Sequence, residues 1–122
     1  MQSHKDLDVW KRSMELVTNI YRLTRDFPQE EQYGLSSQIR RSAISIPSNI
    51  AEGAARNSSK EYKQFLYVSL GSISEIETQI LIAEKLGFLK AGNSLLEDVS
   101  AIRKMLTGLI SYVARKKISS KV

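Results

Sequence analysis

Apolar residues recur every three or four positions in four separate segments of the chain. This spacing places side chains on one face of a helix, and it predicts helices over about residues 9–25, 37–55, 60–86 and 95–117. Polar stretches separate these segments, and none of the segments shows the alternation of apolar and polar residues that is typical of a half-buried strand. The pattern therefore predicts an all-α protein.

The first predicted helix is expected to begin at an N-cap, Asp8, and to end before Pro28, which disfavours helical geometry in the residue that precedes it. Its apolar residues form two adjoining stripes, which predicts a broad buried face. The stripes are Leu16, Ile20, Leu23 and Phe27, and Trp10, Met14, Val17 and Tyr21.

The second predicted helix contains a proline and many small residues around its apolar positions Ile39, Ala43, Ile46 and Ile50. Pro47 removes one backbone hydrogen bond and is expected to kink the helix. Small side chains let a neighbouring backbone come close, so we expect this helix to be crowded on more than one side and to be the central one.

The third and fourth helices carry clear start signals. Ser58 with Glu61, and Ser94 with Glu97, are expected to form capping boxes. Gly87 is expected to end the third helix in the left-handed conformation. The predicted core stripes are Tyr62, Leu66, Ser69, Ile73, Ile76, Ile80, Ala83 and Leu86 in the third helix, and Leu95, Val99, Ile102, Leu106, Leu109 and Val113 in the fourth.

The connections between the predicted helices are short, which favours antiparallel neighbours. A length of 122 residues fits one domain with one good core. We therefore expect residues 1–122 to form a single antiparallel, up-down-up-down four-helix bundle with a basic C-terminal tail.

The sequence offers few groups for catalysis or metal binding. It has no cysteine, and its one histidine, His4, lies in a polar N-terminal segment. Glu75, Glu77 and Glu84 without a histidine make a weak metal site, and no glycine-rich phosphate loop is present. We expect a protein that is not an enzyme and that needs no metal ion and no cofactor.

The N-terminal segment lacks the apolar core of a signal peptide. The longest uncharged run, residues 64–74, is far shorter than the ~20 apolar residues of a membrane-spanning helix. We therefore expect a cytoplasmic protein with no membrane partner.

The formal net charge is +5, and the C-terminal part of the chain carries much of it. Residues 99–122 contain no acid, and they include the candidate nucleic-acid-binding residues Arg103, Lys104, Arg115, Lys116 and Lys117. An alternative interpretation is a solvated helix end whose cations complement the helix dipole.

A second group of polar residues lies on the second helix, at its exit and on the third helix. These candidates are Arg40, Arg41, Asn49, Glu52, Arg56, Glu75 and Glu77. Asn49 follows the proline and is expected to bind local backbone groups. The group is interpreted as a network that fixes helix packing or assembly; the alternative is contact with a ligand or RNA.

Three sequence strings resemble a known family. They are DLDVWKRSMELVTNIY at residues 6–21, QIRRSAISIPSNIAEG at residues 38–53 and GSISEIET at residues 71–78. The chain resembles, over roughly residues 6–114, the four-helix-bundle proteins encoded in intervening sequences of bacterial large-subunit ribosomal RNA genes. That family is related to the accessory proteins of diversity-generating retroelements, which bind nucleic acid and a reverse transcriptase.

The resemblance implies an up-down bundle that forms a ring-like homopentamer with a role in nucleic-acid binding. The first hypothesis is therefore a homo-oligomer that binds RNA or DNA through phosphates. The alternative is a scaffold that recruits another protein. Its surface would include apolar residues off the main stripes, which equally fit a subunit interface: Ile44, Tyr67, Val68 and Ile82.

Overall fold

The computed structural model describes residues 3–116, and these form four long helices and no strand. The helices are α1 Asp8–Thr24, α2 Leu35–Ala54, α3 Ser59–Lys85 and α4 Leu95–Lys116. Short 3-10 helices at His4–Asp6 and Gln29–Glu31 precede α1 and α2. The four predicted helices are confirmed, with bounds within two residues of those observed. The predicted last residue of the fourth helix, Lys117, lies outside the described residues.

Each helix turns one apolar face to a common core. The largest fully buried side chains are Leu16 and Ile20 of α1, Ile39, Ile46 and Ile50 of α2, Leu66, Ile73, Ile76 and Ile80 of α3, and Leu95, Ile102 and Leu106 of α4. Burying an aliphatic side chain of this size stabilises a fold by roughly 1.5–3 kcal/mol. The buried apolar stripes of the four helices are therefore the main source of stability.

Each of the stripes predicted for α3 and α4 includes a residue that lies outside the buried core. In α4 the buried residue of the penultimate turn is Ile110, and Leu109 is only partly buried. In α3 the stripe ends at Ala83, and Leu86 is 56% exposed. The chain reverses directly after Leu86, so Leu89 of the following loop covers that end of the core.

The expectation of a broad buried face on α1 is only half right. In the first stripe Leu16, Ile20 and Phe27 are buried but Leu23 is 36% exposed, and in the second stripe Met14 is 42% and Tyr21 is 40% exposed. The reason is the packing of α1. Among the long helices of the described chain, α1 contacts only α2 and α4. The second stripe lies along the outer seam between α1 and α2. Among the described residues, His4 packs against its Trp10 end, and no long helix covers the rest.

Contacts between successive helices show that they run antiparallel. Arg40 near the start of α2 bonds Thr24 at the end of α1. Gly53 at the end of α2 lies against Tyr62 near the start of α3. Along α3 and α4, Glu77 contacts Arg103, and Glu84 contacts Asn93 just before α4. The predicted antiparallel bundle is confirmed for these neighbours.

The prediction that the second helix is central is wrong. α2 packs against α1 and α3, and among the described residues it makes no packing contact with α4. The four helices form a closed square, in which each long helix has two neighbours and none lies in the middle.

The helix termini match the predictions in part. The Ser58 hydroxyl accepts a hydrogen bond from the Glu61 N–H (3.2 Å), as a capping box requires. Gly87 has φ +81°, and the Phe88 N–H donates to the Ala83 carbonyl (2.8 Å), which completes a Schellman turn. The turn at Gly87 is confirmed. Of the predicted capping box only the serine bond is observed, since the Glu61 side chain accepts no hydrogen bond from the Ser58 N–H in the described structure.

The other two predicted caps are wrong. The N-cap of α1 is Leu7, and Asp8 is the first helical residue, where its carboxylate still favours the positive end of the helix dipole. At α4 the side-chain acceptor is Asn93 Oδ1, which takes the Leu95 N–H at 3.0 Å. Ser94 makes no side-chain hydrogen bond to Glu97 in the described structure.

α2 continues through Pro47, which is buried inside it. The predicted close approach occurs near the end of the helix, at Gly53. A Cβ atom there would lie 2.9 Å from Phe65 Cβ and 3.1 Å from the Tyr62 carbonyl oxygen. These distances explain why a residue without a side chain stands at this point. None of the helices in the described residues is long and apolar enough to cross a membrane.

Candidate nucleic-acid interface and packing contacts

The candidate cations of α4 differ in what they contact. Arg103 donates to Glu77 Oε1 at 2.6 Å and so joins α4 to α3. The Arg103 side chain is 33% and the Glu77 side chain 41% exposed, so solvent screens the pair, which contributes about 0.2–1 kcal/mol. Lys104, the next residue, is exposed and forms no ion pair in the described structure. Arg103 is therefore part of the helix packing, whereas Lys104 is exposed to solvent.

The last turn of α4 carries the exposed cations Arg115 and Lys116. The Lys116 ammonium lies 5.6 Å from the centre of the Tyr112 ring, within the range of a cation–π contact. Lys117, the fifth candidate, lies outside the described residues.

Tyr62 of α3 lies near the C-terminal end of α4. Burial raises the pKa of the Tyr62 phenol above its ordinary value of 10.0, and the nearby Tyr112 raises this pKa further. The start of α3 and the end of α4 are therefore close together. Lys60, which is exposed, and Lys63, which is partly buried, flank Tyr62 on the first turn of α3.

The two arginines at the start of α2 are not equivalent. The Arg40 Nε donates to Thr24 Oγ1 at 2.8 Å, and the Arg40 guanidinium lies 4.7 Å from the centre of the Tyr21 ring. These contacts join α2 to α1. Arg41 is exposed and makes only a long hydrogen bond of 3.4 Å to Ser37 of its own helix.

Asn49 lies in a polar seam between α2 and α3. Its Nδ2 donates to the Ser45 carbonyl (2.8 Å) and to Ser45 Oγ (3.0 Å), and the Ser72 hydroxyl donates to Ser45 Oγ (2.8 Å). One turn away, the Ser69 hydroxyl donates to the Ile46 carbonyl at 2.9 Å. The expectation that Asn49 binds local backbone is confirmed. Ser45, Ser69 and Ser72 were not among the predicted network residues. The small residues of α2 were the signal in the sequence for a close contact between α2 and a neighbouring helix.

Glu52 and Arg56 pair with each other at the end of α2, at 2.7 Å. The Arg56 guanidinium also lies 4.7 Å from the centre of the Phe65 ring of α3. Both charged side chains are at least 40% exposed, so the ion pair itself contributes little.

The glutamates of α3 point in different directions. Glu77 and Glu84 face α4 and its preceding loop, where Glu84 accepts from Asn93 Nδ2 at 2.9 Å. Glu75 faces α2, in an open polar cleft of about 310 Å³ that Arg41 and Gln79 also line. Within the described residues, no three His, Cys, Asp or Glu side chains lie close enough together to hold a metal ion.

The candidate packing residues therefore do not form one network. Arg40 joins α2 to α1, Asn49 and Ser45 join α2 to α3, and Glu77 joins α3 to α4. Each of these contacts fixes one pair of neighbouring helices.

The apolar residues predicted to lie off the core are all exposed. The exposed fractions are 42% for Ile44, 58% for Tyr67, 50% for Val68 and 42% for Ile82. Leu81, which is 43% exposed beside Ile82, was not predicted. Its signal in the sequence was the heptad spacing from Tyr67 through Ser74 to Leu81.

The family model "23S rRNA-intervening sequence protein" matches residues 5–108. The chain belongs to this family. The resemblance found in the sequence strings is thereby confirmed at the family level.

A solved structure shows the same fold. It is a protein of unknown function from the S23 ribosomal protein family of Bacteroides thetaiotaomicron, with 21% sequence identity and a TM-score of 0.63. The match covers 92% of this chain and 99% of that one. At this identity the likeness establishes the fold alone. No curated protein matches the chain.

Proposed function

We propose that this protein is a cytoplasmic homo-oligomer, pentameric as the family resemblance implies, that binds RNA or DNA through backbone phosphates and catalyses no reaction. The observation that carries the nucleic-acid part is the complete lack of acids in residues 99–116, together with the exposed cations Lys104, Arg115 and Lys116. The oligomeric part rests on the exposed apolar residues of α1, α2 and α3.

The outer face of α4 suits a phosphate chain. Lys104 and Arg115 are separated by three helical turns and point to the same side, roughly 16 Å apart along the helix axis. Thr107, Gly108 and Ser111 are exposed between them. Because these residues are small and uncharged, a nucleic-acid backbone can lie close to the helix and reach the cations at both ends.

The alternative interpretation of these cations explains only part of their pattern. Arg115 and Lys116 stand in the last turn of α4, where they complement the helix dipole, an effect of about 0.3–1 kcal/mol. The dipole effect is confined to that turn, so it does not account for Lys104, which lies three turns earlier.

Other cations lie close to the end of α4. Lys60 and Lys63 stand beside Tyr62 at the start of α3, and Tyr62 is near enough to Tyr112 of α4 for that phenol to raise its pKa. In an oligomer each copy would present the same cations, and weak phosphate contacts on linked copies would add to a higher overall affinity.

The test is a titration of labelled single-stranded and double-stranded RNA and DNA with the protein, read by fluorescence anisotropy from 50 to 300 mM salt. If Lys104, Arg115 and Lys116 each neutralise one phosphate, the logarithm of affinity falls with the logarithm of salt with a slope of roughly −2 to −3 per chain. The double variant Lys104→Ala/Arg115→Ala should lose at least about tenfold in affinity and lower the slope by about two.

The matched control is Lys85→Ala/Lys90→Ala, which removes the same charge from the opposite end of the bundle. Its affinity should stay within about threefold of that of the unchanged protein. Equal losses in both variants would show that only net charge matters and would contradict the α4 site. No binding at 50 mM salt would contradict the nucleic-acid role and leave the scaffold hypothesis.

A further inference from the structure

α3 is apolar on its solvent side as well as on its core side. We call the outer surface formed by Tyr67, Val68, Glu75, Leu81 and Ile82 the α3 ridge. Its four apolar residues are 42–58% exposed, and Glu75 is the one charged residue among the exposed positions of residues 64–82. A helix of 27 residues that faces water ordinarily carries a charged face, and an apolar outer surface marks an interaction site.

A second apolar surface lies on another side of the molecule, along the seam of α1 and α2. We call the surface lined by Trp10, Met14, Val17, Ile44 and Ala51 the α1/α2 groove. It is a concave cleft of about 340 Å³. α1, which forms one of its walls, makes no packing contact with α3 in the described structure. The groove and the ridge share no residue, so both can be occupied at the same time. Arg41 lies between them, because it lines both the cleft beside Ile44 and the cleft beside Glu75.

The charges of the two surfaces are complementary. Clefts that continue the groove towards the end of α1 are lined by Arg22, Arg25, Arg40 and Arg41 and, among the described lining residues, by no acid. The ridge carries Glu75 halfway along its length, on the side that faces α2. Glu75 shares an open cleft with Arg41 there but forms no ion pair within the described part of the chain. A glutamate in a ridge and arginines beside a groove favour contact between the two.

We infer that the α3 ridge of one copy packs into the α1/α2 groove of a second copy, with Glu75 towards the arginines of that groove. This inference rests on the proposed self-association and adds which surfaces meet. Because the two surfaces differ, the contact is heterologous, and its repetition builds a ring when the rotation between copies closes.

The charges also disfavour the symmetric alternatives. A two-fold axis through the middle of the ridge would bring Glu75 of one copy against Glu75 of the other. Pairing two grooves would bring the arginines together. Like charges in an interface disfavour both arrangements, so the same residues that attract the right surface reject the wrong ones.

The test uses two variants that each damage one surface. Ile44→Lys places a charge in the groove and leaves the ridge intact, and Ile82→Lys places the same charge on the ridge and leaves the groove intact. Both residues are 42% exposed, so neither change disturbs the core. Light scattering should give each variant alone the monomer mass of 13.8 kDa. An equimolar mixture should give twice that mass, because the intact ridge of Ile44→Lys can bind the intact groove of Ile82→Lys.

The control is Tyr33→Lys, at a loop residue that is 90% exposed and lies outside both surfaces; it should assemble as the unchanged protein does. If the unchanged protein is monomeric at 100 μM, the proposed oligomer is wrong. If that protein assembles but the variants stay large, or the mixture stays monomeric, the oligomer stands and this pairing of surfaces is overturned.

A cross-linking experiment covers the case in which a lysine variant unfolds. The chain has no cysteine, so Ile44→Cys and Ile82→Cys each introduce a single thiol. We expect a disulfide-linked dimer when the two variants are mixed and oxidised, and much less when either is oxidised alone. Efficient cross-linking of one variant with itself would show a symmetric contact and overturn the inference.

Discussion

At the scale of single residues, the distance between α2 and α3 is set by one glycine. Gly53 is buried, and its missing side chain lets the helix approach Tyr62 and Phe65. About two turns along the same interface, the small residues Ser69 and Ser72 bond α2 directly. Small side chains and satisfied hydroxyl groups thus allow these two helices to pack closely, although the nearby Gln79 Oε1 is buried without a hydrogen-bond partner in the described structure.

Replacing Gly53 by alanine should destabilise the protein. The added Cβ meets Phe65 Cβ at 2.9 Å and the Tyr62 carbonyl at 3.1 Å, and relief requires a backbone shift. Overpacking of this kind costs about 1–3 kcal/mol, which exceeds the gain of up to ~1 kcal/mol from helix propensity. Urea unfolding followed by circular dichroism measures the difference.

Gly71→Ala is the control for this prediction. Gly71 is also inside a helix, but nothing lies within 4 Å of a Cβ built there. This variant should gain about 0.5–1 kcal/mol, because alanine favours the helix. Equal effects of the two substitutions would show that the close approach of α2 to α3 does not limit the residue at position 53.

At the scale of helices, the same Ser-x-x-Glu pattern caps α3 through its serine but does not cap α4. Ser58 and Glu61 form a cap at the start of α3, whereas Ser94 and Glu97 occupy equivalent positions at α4 without the serine bond. Asn93 takes over at α4: it accepts the Leu95 N–H and donates to Glu84 and to the Lys90 carbonyl. The tertiary contact with Glu84 holds Asn93 in the position from which it caps the helix.

Serine-to-alanine variants should separate these two helix starts. Ser58→Ala should cost about 1 kcal/mol of unfolding free energy, because it leaves the Glu61 N–H without its partner. Ser94→Ala should change stability by less than about 0.5 kcal/mol, since Ser94 is exposed and its hydroxyl does not cap α4. Chemical denaturation of both variants checks the prediction, and a larger cost for Ser94→Ala would contradict it.

At the scale of the whole molecule, the surface divides into regions of different character. The outer face of α4 is basic and made of small residues, while the α3 ridge and the α1/α2 groove are apolar. A single bundle cannot bury these apolar surfaces, because each of its helices already uses its two neighbours. Assembly through the ridge and the groove would leave the α4 face of every copy available for nucleic acid.

If assembly buries these surfaces, thermal stability should depend on protein concentration. Association stabilises the folded state by mass action, so we expect the Tm to rise by roughly 3–6 °C for each tenfold increase in concentration. Ile44→Lys should abolish this rise, and Tyr33→Lys should keep it. Circular dichroism melts at 1, 10 and 100 μM measure it. A Tm of the unchanged protein that is constant over this range would contradict the prediction.

The sequence by itself determined the four helices, most of the core and the family. The reason is that a helix of about twenty residues repeats its apolar period several times, so a stripe such as Ile39, Ala43, Ile46 and Ile50 is unambiguous. The cap at Ser58 and the turn at Gly87 are local as well, because each depends on residues within one turn.

Only the tertiary structure decided which apolar stripe is buried and which cation is free. Met14 and Tyr21 have the spacing of core residues, yet they remain exposed because α1 has two helix neighbours and neither covers that side. Arg103 and Lys104 are alike in sequence, but only Arg103 faces Glu77 across the α3–α4 interface. These outcomes depend on how whole helices are placed against each other, which a local period does not encode.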